Sequence, residues 1–297
     1  MSSIPEVREI EASAKLAAIY EDIKAASGLP QVNLIYRHLA TVPGMLPKTW
    51  EILGPLYHGG HIAEASQRIV QVERNCSAEL LPDCQDLPAR ERRDLAHLLN
   101  VYNIGNLQNL VALSALLEIL NSPSERSPMI ANVASGGATG KHDSSCPQDW
   151  HRSPCPGLSL ATEAPIPRLP KLAALPPSEQ KIVEDLAARL GGSDLGVTPS
   201  LYLHMALWPT ALRCAHRITV SMIESGELAN RIRDLRENVA EVVVEIQSFA
   251  GREVAHNVSP EHAAAMRTIE TFVACTIPEM VILGRIYFRW FTGETIK

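Results

Sequence analysis

An all-α architecture built from two related helical units is what this sequence predicts, and three observations predict it. Apolar residues recur at three- and four-residue spacing along most of the chain, the period of helices that bury one face. No run of β-branched residues alternates with period two, so strands are not expected. The chain also repeats itself: Tyr36, His38, Ala40 and Pro43 return as Tyr202, His204, Ala206 and Pro209 with the same internal spacing. At the same offset Gly60, Ile62 and Ala63 face Gly226, Leu228 and Ala229. Repetition of this kind constrains architecture more strongly than local propensity does.

The elements follow in order. The first copy reads as helices near 10–27, 33–41, 45–57 and 61–79 and a long one near 88–121; the second as helices near 178–190, 199–207, 210–225, 227–249 and 259–291. Pro43, Pro209 and Pro260 stand at breaks or in first helical turns, where a residue without an N–H is tolerated. Glu21-Asp22-Ile23 matches Glu184-Asp185-Leu186 at a slightly shorter offset, which places a small insertion around Gly191-Gly192-Ser193. Downstream, Tyr102, Leu110, Val111 and Leu113 align with Phe272, Met280, Val281 and Leu283, and Pro278 is expected to kink the last helix. Residues 122–170 carry Ser-Pro, Gly-Gly and Pro-rich pieces with little periodicity and read as a poorly ordered linker. The expected organisation is a helical repeat over 1–121, this linker, and a second repeat over 171–297. Each repeat must cover an apolar face, so the two are expected to pack as a pseudo-dimer with a ligand cleft between them.

A content of 46% hydrophobic residues over 297 positions is ample for a core. The net charge of −6, with Lys and Arg scattered among Asp and Glu, provides no basic stripe, so neither nucleic acid nor a membrane surface is an expected partner. Met1 to Glu11 is polar and lacks an apolar signal core, which reads as a cytoplasmic protein. Leu110 to Leu120 is too short to span a bilayer, and Thr271 to Phe291 is interrupted by Pro278, Glu279 and Arg285; both read as buried helices. Cys76, Cys84, Cys146, Cys155, Cys214 and Cys275 lie far apart, and reduced thiols are expected.

Several motifs offer chemistry, each with a plainer reading. The stretch Ser135 to His142 has the glycines of a phosphate loop but lacks its first glycine and its final Ser or Thr. His142, Cys146, His151 and Cys155 suit zinc by residue type, yet their irregular spacing among prolines favours a solvated linker. His58 and His61 flank a Gly-Gly pair that more simply separates two helices. Cys84 and Cys275 are candidate nucleophiles, and small buried apolar residues on the plainer reading. The duplicated His38 and His204 are acid/base candidates, with a copied packing motif favoured. The pairs Glu21-Asp22 and Glu184-Asp185 read as solvated helix faces. Asn106 sits inside the most apolar helix beside Gly105, where a buried amide must find a partner or a ligand. Asn33 and Ser200 begin the two short helices, as caps or as donors to a small anion.

Three segments, Tyr20-Glu-Asp-Ile through Leu39-Ala-Thr-Val-Pro-Gly-Met-Leu-Pro, Val101-Tyr-Asn-Ile-Gly-Asn106 and Ala206-Leu-Trp-Pro209, resemble the group I 2-haloacid dehalogenases. The resemblance spans both repeats. It implies an all-helical pseudo-dimer with the site between the repeats. It also implies cofactor-free hydrolysis, in which an aspartate activates a water that attacks the halogen-bearing carbon and an asparagine holds that water. The family's asparagine falls on Asn106, and the serine beside its aspartate on Ser200. At the aspartate's own position stands Leu201, which can neither accept a proton nor polarise water; Asp194 is the nearest acidic residue in the chain before it.

Two functions follow as expectations. The first is a hydrolase acting on a small 2-substituted carboxylic acid, with Asn106, Ser200 and Asp194 as the chemical residues, and a base from Asp194, His38 or His204. Asn33, Tyr36, Leu201, Tyr202 and Thr276 would bind the substrate. The second is a non-catalytic carrier of a small acid or apolar metabolite, or a different cofactor-free reaction on the same scaffold. No metal or cofactor is expected in either, and a homodimer is compatible with both.

Overall fold

The computed structural model describes residues 4–73, 87–121, 166–191, 196–247, 249 and 260–293. Among them every regular element is helical. The first half comprises α1 (Ala14–Ser27), α2 (Leu34–Leu39), α3 (Met45–His58), α4 (His61–Glu73) and α5 (Ala89–Asn121). The second comprises α6 (Pro177–Arg189), α7 (Ser200–Met205), α8 (Pro209–Glu224), α9 (Glu227–Gln247), α10 (Pro260–Thr271) and α11 (Ile277–Thr292).

These bounds fall within a few residues of those predicted, and the departures have physical causes. α1 starts four residues late because Ser13 caps it, its hydroxyl accepting the Leu16 N–H at 3.4 Å. The irregularity expected at Pro278 takes the form of a π-turn over Phe272–Thr276. Pro278 lies in the first turn of α11 and has no N–H for the preceding turn, so the backbone widens just upstream of it.

The two halves use matching contacts. α1 packs on α3 as α6 packs on α8. Asp22 accepts from Trp50 Nε1 and Asp185 from His216 Nε2, each at 2.7 Å. The Glu-Asp pairs expected to be merely solvated therefore tie helices together through their aspartates. The Trp50 bond holds Asp22 below the usual carboxylate range; Arg189, then His216, does the same for Asp185. Both halves also fold an extended segment back over their short helix. His38 Nδ1 meets the Pro5 carbonyl and His204 Nε2 the Pro167 carbonyl, each at 2.8 Å. The duplicated histidines are thus packing anchors. The helix junctions at Gly60 (φ +78°) and Gly226 (φ +75°) adopt the left-handed conformation that glycine takes without strain.

The halves meet chiefly where α11 lies along α5, with α9 also against α5, and one apolar cluster runs through both. Pro260–Thr292 is long and apolar enough to cross a membrane, but 67% of its most apolar window is buried against the rest of the protein. Ile166 packs on the core, so the last residues of the expected linker join the fold. Cys275 is a free thiol, whereas Cys214 is disulfide-bonded, which corrects the expectation of reduced thiols at that position. Cys76, Cys84, the 135–142 loop, the His142 to Cys155 group and Asp194 lie outside the described residues.

Candidate functional site

Four stretches of chain converge on one cavity between the halves. Tyr102, Asn106 and Asn109 recur at three- and four-residue spacing, which puts them on one face of α5. Phe272, Thr276 and Met280 do the same along the π-turn and α11. The entrances to α2 (31–35) and α7 (197 and 199–201) close the ends, together with Arg37 and Leu169. The cavity is partly open and has a volume of about 70 Å³, room for a few waters or a small organic molecule.

The polar residues here are placed by packing. Asn33 is the N-cap residue of α2, yet its side chain does not cap; Nδ2 donates to the Gly105 carbonyl at 3.3 Å. Gly105 permits that approach, because a Cβ there would lie 3.1 Å from Leu29 Cδ1 and 3.2 Å from Asn33 Nδ2. Ser200 is the first residue of α7, and that helix has no side-chain cap. The capping reading therefore fails for both residues. Asn106 Nδ2 and Thr276 Oγ1 are buried without a hydrogen-bond partner. An orphaned donor is costly in a closed interior and is what a ligand or ordered water would satisfy.

Tyr102 in this wall is paired with His204; the sequence reading named only His204 for the site, as a possible base, and not Tyr102. The Tyr102 hydroxyl lies 2.7 Å from His204 Nδ1, and His204, fully buried, reaches the Pro167 carbonyl through Nε2. Burial lowers the imidazole's pKa, offset in part by the bond to Pro167, and keeps the ring neutral at neutral pH. Burial also raises the Tyr102 phenol, against the opposing influence of Gln31, Arg37 and Ser200 beside it. Tyr102 is four residues before Asn106, so helical spacing from Asn106 was the signal that would have found it, and Asn109 with it.

Electrostatically the cavity is simple. Among the described residues Arg37 is the one of fixed charge in its lining; Nε pairs with Glu6 at 2.6 Å and Nη1 bonds the Val32 carbonyl. Among the described residues no Asp, Glu or His lines the cavity, and Leu201, 1% exposed, occupies the wall where the resemblance puts an aspartate. His38 is held on Pro5, away from that lining. Glu279, raised to about 7 by burial, accepts the Gly191 N–H at 2.8 Å, also outside it.

Of the residues expected in the site, Asn106, Ser200, Asn33, Leu201 and Thr276 line the cavity together. Tyr36 and Tyr202 do not, which corrects the expectation that they bind substrate. Each is fully buried inside its own half, with its hydroxyl 3.2 Å from that of Tyr57 and 3.4 Å from that of Tyr287 respectively. The amphipathic short helices turn these rings into the helical cores. Among the described residues no group of three or more His, Cys, Asp or Glu is arranged to hold a metal. His58 instead faces Asp22, and His61 stacks on Phe249.

No family model matches the chain, and no curated protein matches it by sequence. The fold does match solved structures. A D-2-haloacid dehalogenase mutant superposes with a TM-score of 0.70 at 19% identity, covering 97% of this chain and 96% of that one. A D-2-haloacid dehalogenase mutant in complex with D-2-CPA gives 0.68 at 19% identity, over 96% and 94%, and the complex with L-LA gives 0.66 at 19%, over 98% and 96%. The chain has a 2-haloacid dehalogenase-like, all-helical fold.

Proposed function

Starting from that scaffold, we propose that this chain binds a small carboxylic acid in the cavity between its halves without hydrolysing it. The observation that carries the reading is the lining itself. Two residues of its lining, Asn106 and Thr276, carry buried polar atoms without a partner, and among the described residues that lining holds one cation and no carboxylate. A carboxylate ligand would satisfy the donors without meeting a like charge. Leu201, Ile35, Phe272 and Met280 would cover its apolar part, as in most small-molecule sites. Direct water attack needs a base, and an aliphatic side chain at Leu201 provides none. The two halves are read as copies of one unit forming a pseudo-dimer, on the strength of their matching helix order and aspartate and histidine contacts. No metal or cofactor is invoked.

A second reading is hydrolysis of a 2-haloacid, favoured by the activity named for the structural neighbours. Asn106 would then position the water, Asn33 and Ser200 the carboxylate, and Asp194 or His204 would supply the base. One experiment separates the two readings: thermal melting of the purified protein with propionate and both enantiomers of 2-chloropropionate, alongside halide assays from neutral to alkaline pH. A saturable rise in Tm without halide release is expected, and Asn106→Ala should weaken binding about tenfold. Halide release above the buffer rate, lost in Asp194→Asn, would establish the hydrolase. No shift with any acid would remove the binding reading.

A further inference from the structure

Cys275 in the π-turn and Glu279 in the first turn of α11 are four residues apart, and both face Gly191 just past the end of α6. A Cβ at Gly191 would stand 2.8 Å from Cys275 Cβ, 3.2 Å from its Sγ and 3.3 Å from Glu279 Oε1. The thiol and the carboxyl therefore flank one point, which is open because the residue there is glycine. The Gly191 N–H holds Oε1 at 2.8 Å, while Oε2 is buried without a partner on a side chain that is 8% exposed. Cys275 is a free, half-buried thiol and Gly191 beside it is exposed, so among the described residues nothing seals the sulfur from a small solute. Neither Cys275 nor Glu279 lines the cavity between the halves.

A partly exposed thiol with a proton carrier at hand is what hydroperoxides oxidise. We propose that Cys275 is an oxidation site, converted by hydrogen peroxide or a small organic hydroperoxide to a sulfenic acid, with Glu279 carrying the proton. The Glu279 carboxylate takes the proton from Sγ, directly or through one water. The thiolate attacks the terminal hydroxyl oxygen of the peroxide, which keeps its hydrogen, and the S–O bond forms as the O–O bond breaks. The proton then passes from Glu279 to the departing oxygen, which leaves as water or an alcohol, and the carboxylate is restored. Sulfur has lost two electrons and the peroxide has gained them. Burial brings Glu279 up to about 7, where one carboxyl both accepts and returns a proton near neutral pH. While it holds the proton it is uncharged and does not repel the thiolate. The sulfenic hydroxyl that results is a donor for the carboxyl, whose Oε2 otherwise has none.

The test exposes the intact protein to hydrogen peroxide at neutral pH, traps sulfenic acid with dimedone and maps the labelled peptides by mass spectrometry. Labelling at Cys275 is expected. In Glu279→Gln, which keeps the shape of the side chain but cannot take a proton, its rate should fall at least about tenfold, a loss that a merely structural glutamate would not produce. Gly191→Ala, whose methyl would enter the point between the two groups, should slow labelling as well, and circular dichroism and Tm check the fold of each variant. Cys275 left unlabelled, or labelled at the wild-type rate in folded Glu279→Gln, would overturn the proposal; should that variant not fold, a wild-type rate in Gly191→Ala would do so.

Discussion

Gly284 and Asn103 set how closely α11 and α5 approach. A Cβ at Gly284 would fall 2.4 Å from Asn103 Oδ1, and Asn103 Nδ2 donates to the Gly284 carbonyl at 3.3 Å. Alanine in a helix gains about 1 kcal/mol over glycine, but here it would displace a buried amide from its bond to the Gly284 carbonyl, at a cost of about 1–3 kcal/mol. Gly284→Ala is therefore expected to destabilise the protein by up to about 2 kcal/mol in urea unfolding; a gain in stability would show that the contact is slack. Glu279 makes a separate prediction. Burial lifts its pKa from 4.5 to about 7, with the Gly191 N–H and the charge of Arg236 opposing the rise. The folded state holds this proton more tightly than the unfolded state, so its contribution is complete below about pH 4.5 and is lost as pH rises through about 7. Unfolding midpoints measured from pH 5 to pH 8 should fall more steeply for the wild type than for Glu279→Gln; parallel curves would contradict the assignment.

At the scale of elements, each half anchors an extended segment on a histidine from its short helix, and the two anchors differ in depth. His204 is fully buried and serves both Pro167 and Tyr102, whereas His38 is half-buried and serves Pro5 alone. Removing His204 leaves two polar groups unpaired and a void, so His204→Ala should cost about 2–4 kcal/mol. His38→Ala should cost less than about 1 kcal/mol, as partly exposed sites usually do. Equal losses in chemical unfolding would mean that burial does not set the worth of the anchor. The pairing of Tyr36 with Tyr202 and of His38 with His204 could be read from spacing alone, and so could the helices. What each side chain faces could not, because a fraction of a helical turn separates a hydroxyl in the core from one in the cavity. Tyr36 and Tyr202 were misplaced for that reason, and Tyr102 was overlooked.

The whole molecule shares one apolar cluster across both halves, with α5 laid against α9 and α11. Unfolding should therefore be a single transition, with secondary-structure and tryptophan signals coinciding, and a fragment ending at Asn121 should lack cooperative melting, since its long helix would expose the face that α11 covers. Two resolved transitions would show that the halves are independent. Periodicity and repetition were enough to establish the helical class, the helix order and the duplicated motifs, because these depend on neighbours along the chain and on residue identity. The cavity, the residues that line it, the orphaned Asn106 and Thr276 and the contact of Tyr102 with His204 were decided only by the packing of α2, α5, α7 and α11. Those helices come from distant parts of the chain, and local spacing holds no information about which of their faces meet.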